Sequence, residues 1–182
     1  MAIKQYTVSP APARTLLFQA LLPDNAIITA SLRIIPEIPV GAIPQGTSVH
    51  GFCDVSGNTA LTRVKNNVTI DGDATFHSCT SLMTVGSNFK ATGHCDFSRC
   101  HSLVLLGENL VAEKNLILAG CSQSLILPNE GYVGGDVILP VGYDPSLIPP
   151  SFVVKGSIYS DTPTPRDVVN DIELTFTEQG LI

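Results

Sequence analysis

Residues 70–79 read IDGDATFHSC, and residues 91–100, one 21-residue unit further along the chain, read ATGHCDFSRC. Residues 49–58, VHGFCDVSGN, and residues 112–121, AEKNLILAGC, extend the same pattern by one unit in each direction. Apolar side chains recur at the first, fifth and seventh places of each stretch, and the tenth place holds cysteine or asparagine. A period kept in so many columns predicts a repeat protein whose units pack on their sequence neighbours.

The same lattice covers about seven units, residues 28–163. Gly135 and Gly156 continue the glycine column of the quoted stretches toward the C-terminus. The chain therefore divides into an N-terminal cap with a helix, residues 1–27, a repeat solenoid, residues 28–163, and a C-terminal cap or tail, residues 164–182.

Within a unit the apolar residues alternate with polar ones, as at Ile70, Ala74 and Phe76. A period of two predicts a short strand with one buried face. Strands that recur only once in each 21-residue unit cannot form hairpins. Each must pair in parallel with the same strand of the next coil, which predicts a mainly β solenoid with parallel strands. The segment that contains Leu82 and Val85 returns along the other wall of the coil. Pro and Gly are frequent in such segments, which predicts an extended or 3₁₀ conformation.

The ends of the chain depart from the lattice, because an open stack of repeats needs a cover for its apolar end face. Residues 9–22 predict a short capping helix, with Ser9 as the N-cap and Pro10 in the first helical position. Its apolar side holds Leu16, Leu17 and Leu21. Residues 172–177 predict a final strand before a loose tail.

The run Ala74-x-Phe76-x-x-Cys79 resembles the leucine-rich repeat, in which leucine, any residue, leucine and any two residues precede Asn or Cys. Asn58 supplies the asparagine form in the preceding unit. In that family the Asn or Cys points inward and bonds to the backbone where the strand ends. Glycine within the strand and an apolar residue three places after the cysteine make the units similar to the short repeats of bacterial effector proteins. The resemblance implies a leucine-rich-repeat-type solenoid, with a parallel β-helix of another kind as the alternative.

The composition argues against several classes of protein. The net charge is −6, and no cluster of Lys or Arg is present to bind a nucleic-acid backbone. No apolar run reaches the ~18 residues of a membrane-spanning helix, and the start of the chain lacks the apolar core of a Sec signal peptide. Five cysteines, an odd number, favour a reducing compartment. The resemblance to effectors implies the bacterial cytoplasm before secretion by a dedicated apparatus, and the host cytosol afterwards.

Cysteines and histidines lie close enough in the sequence to suggest a zinc site. The set is Cys79, Cys100 and Cys121 with His77, His94 and His101. Zinc sites of this type show close ligand pairs such as Cys-x₂₋₄-Cys, whereas these cysteines follow the repeat. We interpret them as an inward-facing ladder without the exposure that a reactive thiol needs. The sequence therefore predicts no metal, no cofactor and no catalytic residue.

The outward positions of the strands predict a partner-binding face. Its early half is polar and acidic, and its later half is apolar. The residues assigned to it are Asp54, Asp73, Thr75, His77, His94, Asp96, Ile117, Ile138 and Tyr159. Apolar side chains contribute affinity and charges contribute register, so a mixed face suits a protein partner. The alternative is a solvated sheet with scattered apolar residues.

These observations predict a non-enzymatic recognition module that binds a protein through its strand face and is a monomer on its own. The resemblance implies that the partner is a host protein or a second bacterial effector. One alternative is a structural β-solenoid, such as a surface protein, an adhesin or a phage component. A weaker alternative is a hydrolase on a β-helix, with acidic residues placed across the coils.

Replacing one thiol tests whether the cysteine column faces inward. We expect Cys100→Ser to lower the free energy of unfolding by about 1–3 kcal/mol, because a buried hydroxyl must find a new partner. Urea denaturation of the two proteins measures the difference. An unchanged midpoint would mean that the column faces solvent.

Overall fold

The computed structural model describes residues 5–160, and it is a β-solenoid of about seven coils with three walls. Each wall is a parallel sheet, and a complete coil crosses each sheet once. The predicted fold class is therefore confirmed: over residues 5–160 the chain is mainly β, with parallel strands stacked in coils and one short α-helix.

The three sheets are named by the order in which a coil visits them. The first sheet contains Tyr6–Val8, Ala26–Ile28, Ser48–Val49, Thr69–Ile70, Lys90–Ala91, Leu110–Ala112, Gly131–Val133 and Phe152–Val154. The second sheet contains Leu32–Arg33, Cys53–Asp54, Ala74–Thr75, Cys95–Asp96, Leu116–Ile117, Val137–Leu139 and Ile158–Ser160. The third sheet contains Ala42–Ile43, Arg63–Val64, Thr84–Val85 and Leu105–Leu106.

Strand pairing follows the sequence period. In the second sheet Ala74 pairs with Cys95, one repeat unit later, and in the third sheet Thr84 pairs with Leu105. A single parallel bridge from Leu105 to Ile126 carries the third sheet one coil further. The return segment is thus extended, as the sequence predicts, and a 3₁₀ helix occurs at Pro145–Leu147.

The alternating run around Gly72 differs from the single strand that its pattern predicts. Ile70 ends a strand of the first sheet and Ala74 begins a strand of the second, so the chain turns a corner between them. The corner brings successive coils into close contact. A Cβ atom on Gly93 would lie 2.7 Å from the backbone nitrogen of Asp73 and 2.8 Å from the carbonyl carbon of Gly72. At Gly93 a hydrogen atom therefore fits between the two coils and a methyl group does not, whereas the next coil has Lys114 at the same place.

Another corner uses asparagine instead of glycine. Asn67, Asn88 and Asn109 have φ values of 60°, 59° and 59°, in the left-handed region that asparagine tolerates better than most residues. Their amides also bond to one another. Asn88 Nδ2 donates to Asn67 Oδ1 at 2.8 Å, and Asn109 Nδ2 donates to Asn88 Oδ1 at 3.0 Å. This ladder fixes the corner in three consecutive coils.

The core runs along the axis of the solenoid. Phe76 and Phe97 stack with ring centroids 5.2 Å apart, and Phe89 meets both rings edge-on. Leu82 and Val85 are fully buried beside them, which accounts for their columns. Burial of each such side chain stabilises the fold by about 1.5–3 kcal/mol.

The predicted inward ladder is confirmed. Each of three thiols donates to a carbonyl oxygen of the preceding coil at the end of a buried strand segment. The bonds are Cys79 to Val55 at 3.1 Å, Cys100 to Phe76 at 3.1 Å and Cys121 to Phe97 at 3.0 Å. Asn58 does the same with its amide, which donates to the Ile38 carbonyl at 2.7 Å. The three carbonyl oxygens also accept from the backbone N–H groups of Asn58, Cys79 and Cys100 in their own coils, so each thiol adds a second donor and joins two coils.

The N-terminal helix is shorter than predicted. It spans Pro10–Phe18, with Ser9 as its N-cap, and contacts the strand Leu32–Arg33. Leu17 is buried and Leu16 is half-buried, whereas Leu21 lies beyond the helix and is 63% exposed. The helix therefore covers the first coil through a narrower apolar side than the sequence pattern indicates. The predicted strand at 172–177 and the tail at 164–182 lie outside the described residues.

Two glycines offer a matched test of the corner. We expect Gly93→Ala to destabilise the protein by about 1–3 kcal/mol, because the backbone of the adjacent coil must move to admit a methyl group. A Cβ atom on Gly41 would meet no atom within 4 Å beyond its chain neighbours, so Gly41→Ala should be neutral or stabilising by up to about 1 kcal/mol. Chemical denaturation of both variants measures the contrast. Equal stability would show that the coils do not approach closely at Gly93.

Candidate functional site

Six of the predicted face residues form one outward row on the second sheet. Each pairs with its neighbour in the next coil, in the order Asp54, Thr75, Asp96, Ile117, Ile138 and Tyr159. Parallel strands lie about 4.8 Å apart, so the row extends over about 25 Å. We call this the second-sheet row.

The acidic end of the second-sheet row is held in place by hydrogen bonds. Asp54 Oδ1 accepts from the Ser56 backbone at 3.1 Å and from the Ser56 hydroxyl at 2.7 Å. Asp54 Oδ2 lies 3.1 Å from Arg33 Nε. The same arrangement recurs two coils later, where Asp96 Oδ1 accepts from the backbone nitrogen of Ser98 at 2.8 Å. These carboxylates are therefore oriented before any partner binds.

His77 joins this network from the place after the strand. Its Nδ1 lies 2.7 Å from the Ser98 hydroxyl oxygen, and that hydroxyl donates to Asp96. Because the Ser98 proton points to Asp96, His77 Nδ1 carries a proton and donates to Ser98. A nucleophilic serine needs the opposite direction, in which its own proton goes to the histidine. The arrangement therefore orients the imidazole ring as a surface group.

Asp73 and His94 lie at the corner before the second sheet, and the structure uses both in linking the coils. Asp73 Oδ1 accepts from the His94 backbone nitrogen at 2.8 Å, and His94 Nδ1 accepts from the Asn115 backbone at 3.3 Å. Asn115 and Asp136 continue the series one coil at a time. The sequence interpretation assigned Asp73 and His94 to recognition and missed this second role. Its signal is a polar acceptor that recurs at that corner in four consecutive units, at Asp73, His94, Asn115 and Asp136.

The apolar end of the second-sheet row lies in the later coils. Ile117 and Ile138 are half-buried, and Tyr159 is 52% exposed at the end of the described stack. The row thus changes from fixed charge to apolar surface along the axis, as the sequence predicts.

A second group of exposed apolar side chains, which was not predicted, lies along the third sheet and continues onto the 3₁₀ helix Pro145–Leu147. It consists of Met83, Val104, Leu105, Ile126 and Leu147, which we call the third-sheet patch. Two columns of the repeat lattice supply it. Those columns were not assigned to a face because the return segment was not predicted to form a sheet.

The cysteines are buried, and their environment suppresses ionisation. Desolvation raises the pKa of Cys53 and Cys121 to about 12 and that of Cys79 to about 11, from an ordinary value of 9.0. Burial also raises the pKa of Cys95 and Cys100. Among residues 5–160, no group of three or more His, Cys, Asp or Glu side chains has the arrangement to hold a metal ion. These thiols are therefore poor nucleophiles and poor metal ligands.

No protein family, curated protein or solved structure shows significant similarity to the chain. Within the part of the chain that the structure describes, no helix has the length and apolarity to cross a membrane.

The raised thiol pKa values predict a loss of stability in alkali. Unfolded thiols ionise near pH 9.0, whereas Cys79 and Cys53 stay protonated in the fold until about 11 and 12. Between these values only the unfolded state loses protons, so stability falls as pH rises, by at most about 1.4 kcal/mol per pH unit for each thiol. Urea denaturation across this interval measures the slope.

The control is Cys53→Ala, which removes one thiol and installs the residue that the next coil has at Ala74. Its stability should decline less steeply with pH than that of the parent protein. Equal slopes would contradict the assignment of the effect to buried thiols.

Proposed function

We propose that the chain is a non-enzymatic recognition module that binds a protein partner through the second-sheet row. The observation that carries this proposal is the in-register placement of oriented carboxylates and apolar side chains on one outward surface. Since the carboxylates already have fixed positions, binding costs little conformational entropy there. The apolar side chains supply surface that a partner can remove from water.

The two ends of the second-sheet row have different roles in this proposal. Ile117 and Ile138 contribute affinity because they are packed on their flanks and open to a partner. Asp54 and Asp96 contribute register and favour a basic patch on the partner, because their carboxylates bond to neighbours but still face outward.

We extend the proposal to the class of protein by the resemblance of the repeats. On that basis the chain is a leucine-rich-repeat-type bacterial effector, secreted by a dedicated apparatus into the host cytosol. Its partner is a host protein or a second effector. The cysteine ladder supports a relation to leucine-rich repeats, because it uses the same inward bond to the backbone that the resemblance implies.

A pair of matched isoleucine variants tests the surface. The full chain is used to capture partners from host lysate and from the organism's own secreted proteins, and the affinity of each captured protein is then measured by calorimetry. We expect Ile138→Ser to weaken binding by about tenfold or more, as truncation of a central interface residue does. The control, Ile126→Ser, makes the same change on the third sheet and should bind as the parent protein does.

Asp54→Asn completes the test of the acidic end, because it removes the charge and keeps the side-chain shape. We expect slower association and weaker dependence on salt than in the parent protein. Asp73 is unsuitable for this purpose because its carboxylate accepts from the backbone of the next coil, whereas the Asp54 carboxylate meets the preceding coil only through the exposed side chain of Arg33. Equal binding of every captured partner by Ile138→Ser and the parent protein would contradict the proposed surface. Assembly of the chain into multimers without a partner would favour the structural alternative.

A further inference from the structure

The third-sheet patch is continuous across four coils. The backbone nitrogen of Val104 donates to the carbonyl of Met83 at 3.0 Å, so these two residues occupy adjacent coils. Leu105 pairs with Ile126 through the parallel bridge that extends the sheet. Ile126 and Leu147 are 62% and 61% exposed, far more than the half-buried isoleucines of the second-sheet row.

The later part of the third-sheet patch is concave. Ile126 and Leu147 line a groove of about 300 Å³ beside the 3₁₀ helix Pro145–Leu147. Leu125, Leu127 and Tyr143 form its floor, and all three are buried. A concave apolar surface with two exposed side chains at its edge can receive the side chains of a partner.

Three carboxylates adjoin residues that line the groove. No Lys or Arg occurs between Lys114 and Lys155. Glu108 accepts from the side chain of Asn129, which lines the groove, at 2.8 Å, and Glu130 follows Asn129 in the chain. Asp144 follows Tyr143, another lining residue.

Two of these carboxylates are stabilised in the charged form. The Glu130 backbone nitrogen donates to Glu108, and the Ser146 backbone nitrogen donates to Asp144. These bonds hold the pKa of each carboxyl group below its ordinary value. The border therefore remains negative throughout the neutral range.

We propose that the third-sheet patch docks a polypeptide segment of a partner in which apolar side chains are flanked by Lys or Arg. The apolar side chains enter the groove, and the basic residues meet Glu108, Glu130 and Asp144 at its border. A second copy of this chain is a poorer occupant, because an isologous contact would bring two acidic borders together. Anionic lipid headgroups would be repelled for the same reason.

This surface is separate from the second-sheet row and does not depend on it. The two surfaces lie on different walls. Ile138→Ser alters only the second-sheet row, and Ile126→Ser alters only the third-sheet patch.

Synthetic peptides provide the probe. One contains leucine at helical spacing with lysine at the other positions, and its match has glutamate in place of lysine. We expect fluorescence anisotropy with the full chain to show the leucine–lysine peptide binding about tenfold or more tightly than its match. Ile126→Ser and Leu147→Ser should each weaken binding by a similar factor, whereas Ile138→Ser should leave it unchanged.

Glu130→Gln separates the charge from the fold, because no hydrogen bond of the described structure uses the Glu130 side chain. We expect it to weaken binding of the lysine peptide about threefold at low salt and to reduce the salt dependence. As a control for folding, we expect Ile126→Ser to unfold thermally at the same temperature as the parent protein.

Several results would overturn the proposal. They are equal binding of the two peptides, binding by Ile126→Ser that equals the parent, and self-association that Ile126→Ser abolishes. Binding to phosphatidylglycerol vesicles that Ile126→Ser abolishes would assign the patch to a membrane and overturn it as well. Failure of both peptides to bind, as expected if other residues of the chain cover the patch, would also overturn it. None of these results bears on the second-sheet row.

Discussion

The backbone hydrogen bonds between successive coils are the constraint on which the rest of the structure depends. Strands of two or three residues are too short to be stable alone, so each gains its partners only from the coils above and below it. The coils from Ala26 onward therefore keep a spacing of 21 residues between paired strands and turn at the same places. Thr69 pairs with Lys90 and Ala74 pairs with Cys95 in one coil, and both pairings hold only if the two walls keep the same repeat spacing.

This constraint explains which features the sequence predicts well. A column that is buried in every coil needs a side chain of similar size and polarity each time. The cysteine ladder and the stacked Phe76 and Phe97 therefore appear in the sequence as a pattern. The corner at Gly72 could not be predicted, because apolar and polar residues alternate without interruption on both sides of it. The two strands nevertheless belong to different sheets. The third sheet is hidden for a related reason. The buried residues of that wall, Leu82 and Val85, are three residues apart, so they do not show the alternation that predicts the strand Thr84–Val85.

The candidate site could be predicted only in part, because the same side chain can serve the fold and a partner at once. Asp54 and Asp73 are both acidic residues of outward columns, yet Asp54 Oδ1 accepts from Ser56 of its own coil while Asp73 Oδ1 accepts from the backbone of the next coil. Only the geometry of the corner separates them. A polar residue that links coils is constrained by stability, so its recurrence in the repeat does not by itself indicate recognition.

Polarity along the axis links the two outward surfaces. Along the second-sheet row and the third-sheet patch, apolar outward residues lie mainly in the later coils. They are Ile117, Ile138 and Tyr159 in the row and Leu105, Ile126 and Leu147 in the patch. Stability does not require this, because the core is filled by the inward columns in every coil. The earlier coils show that polar residues serve equally well at the outward places, as Thr75 and Thr84 do. An apolar residue at an outward place therefore adds little to the fold, and contact with another molecule is the physical reason that we propose for it.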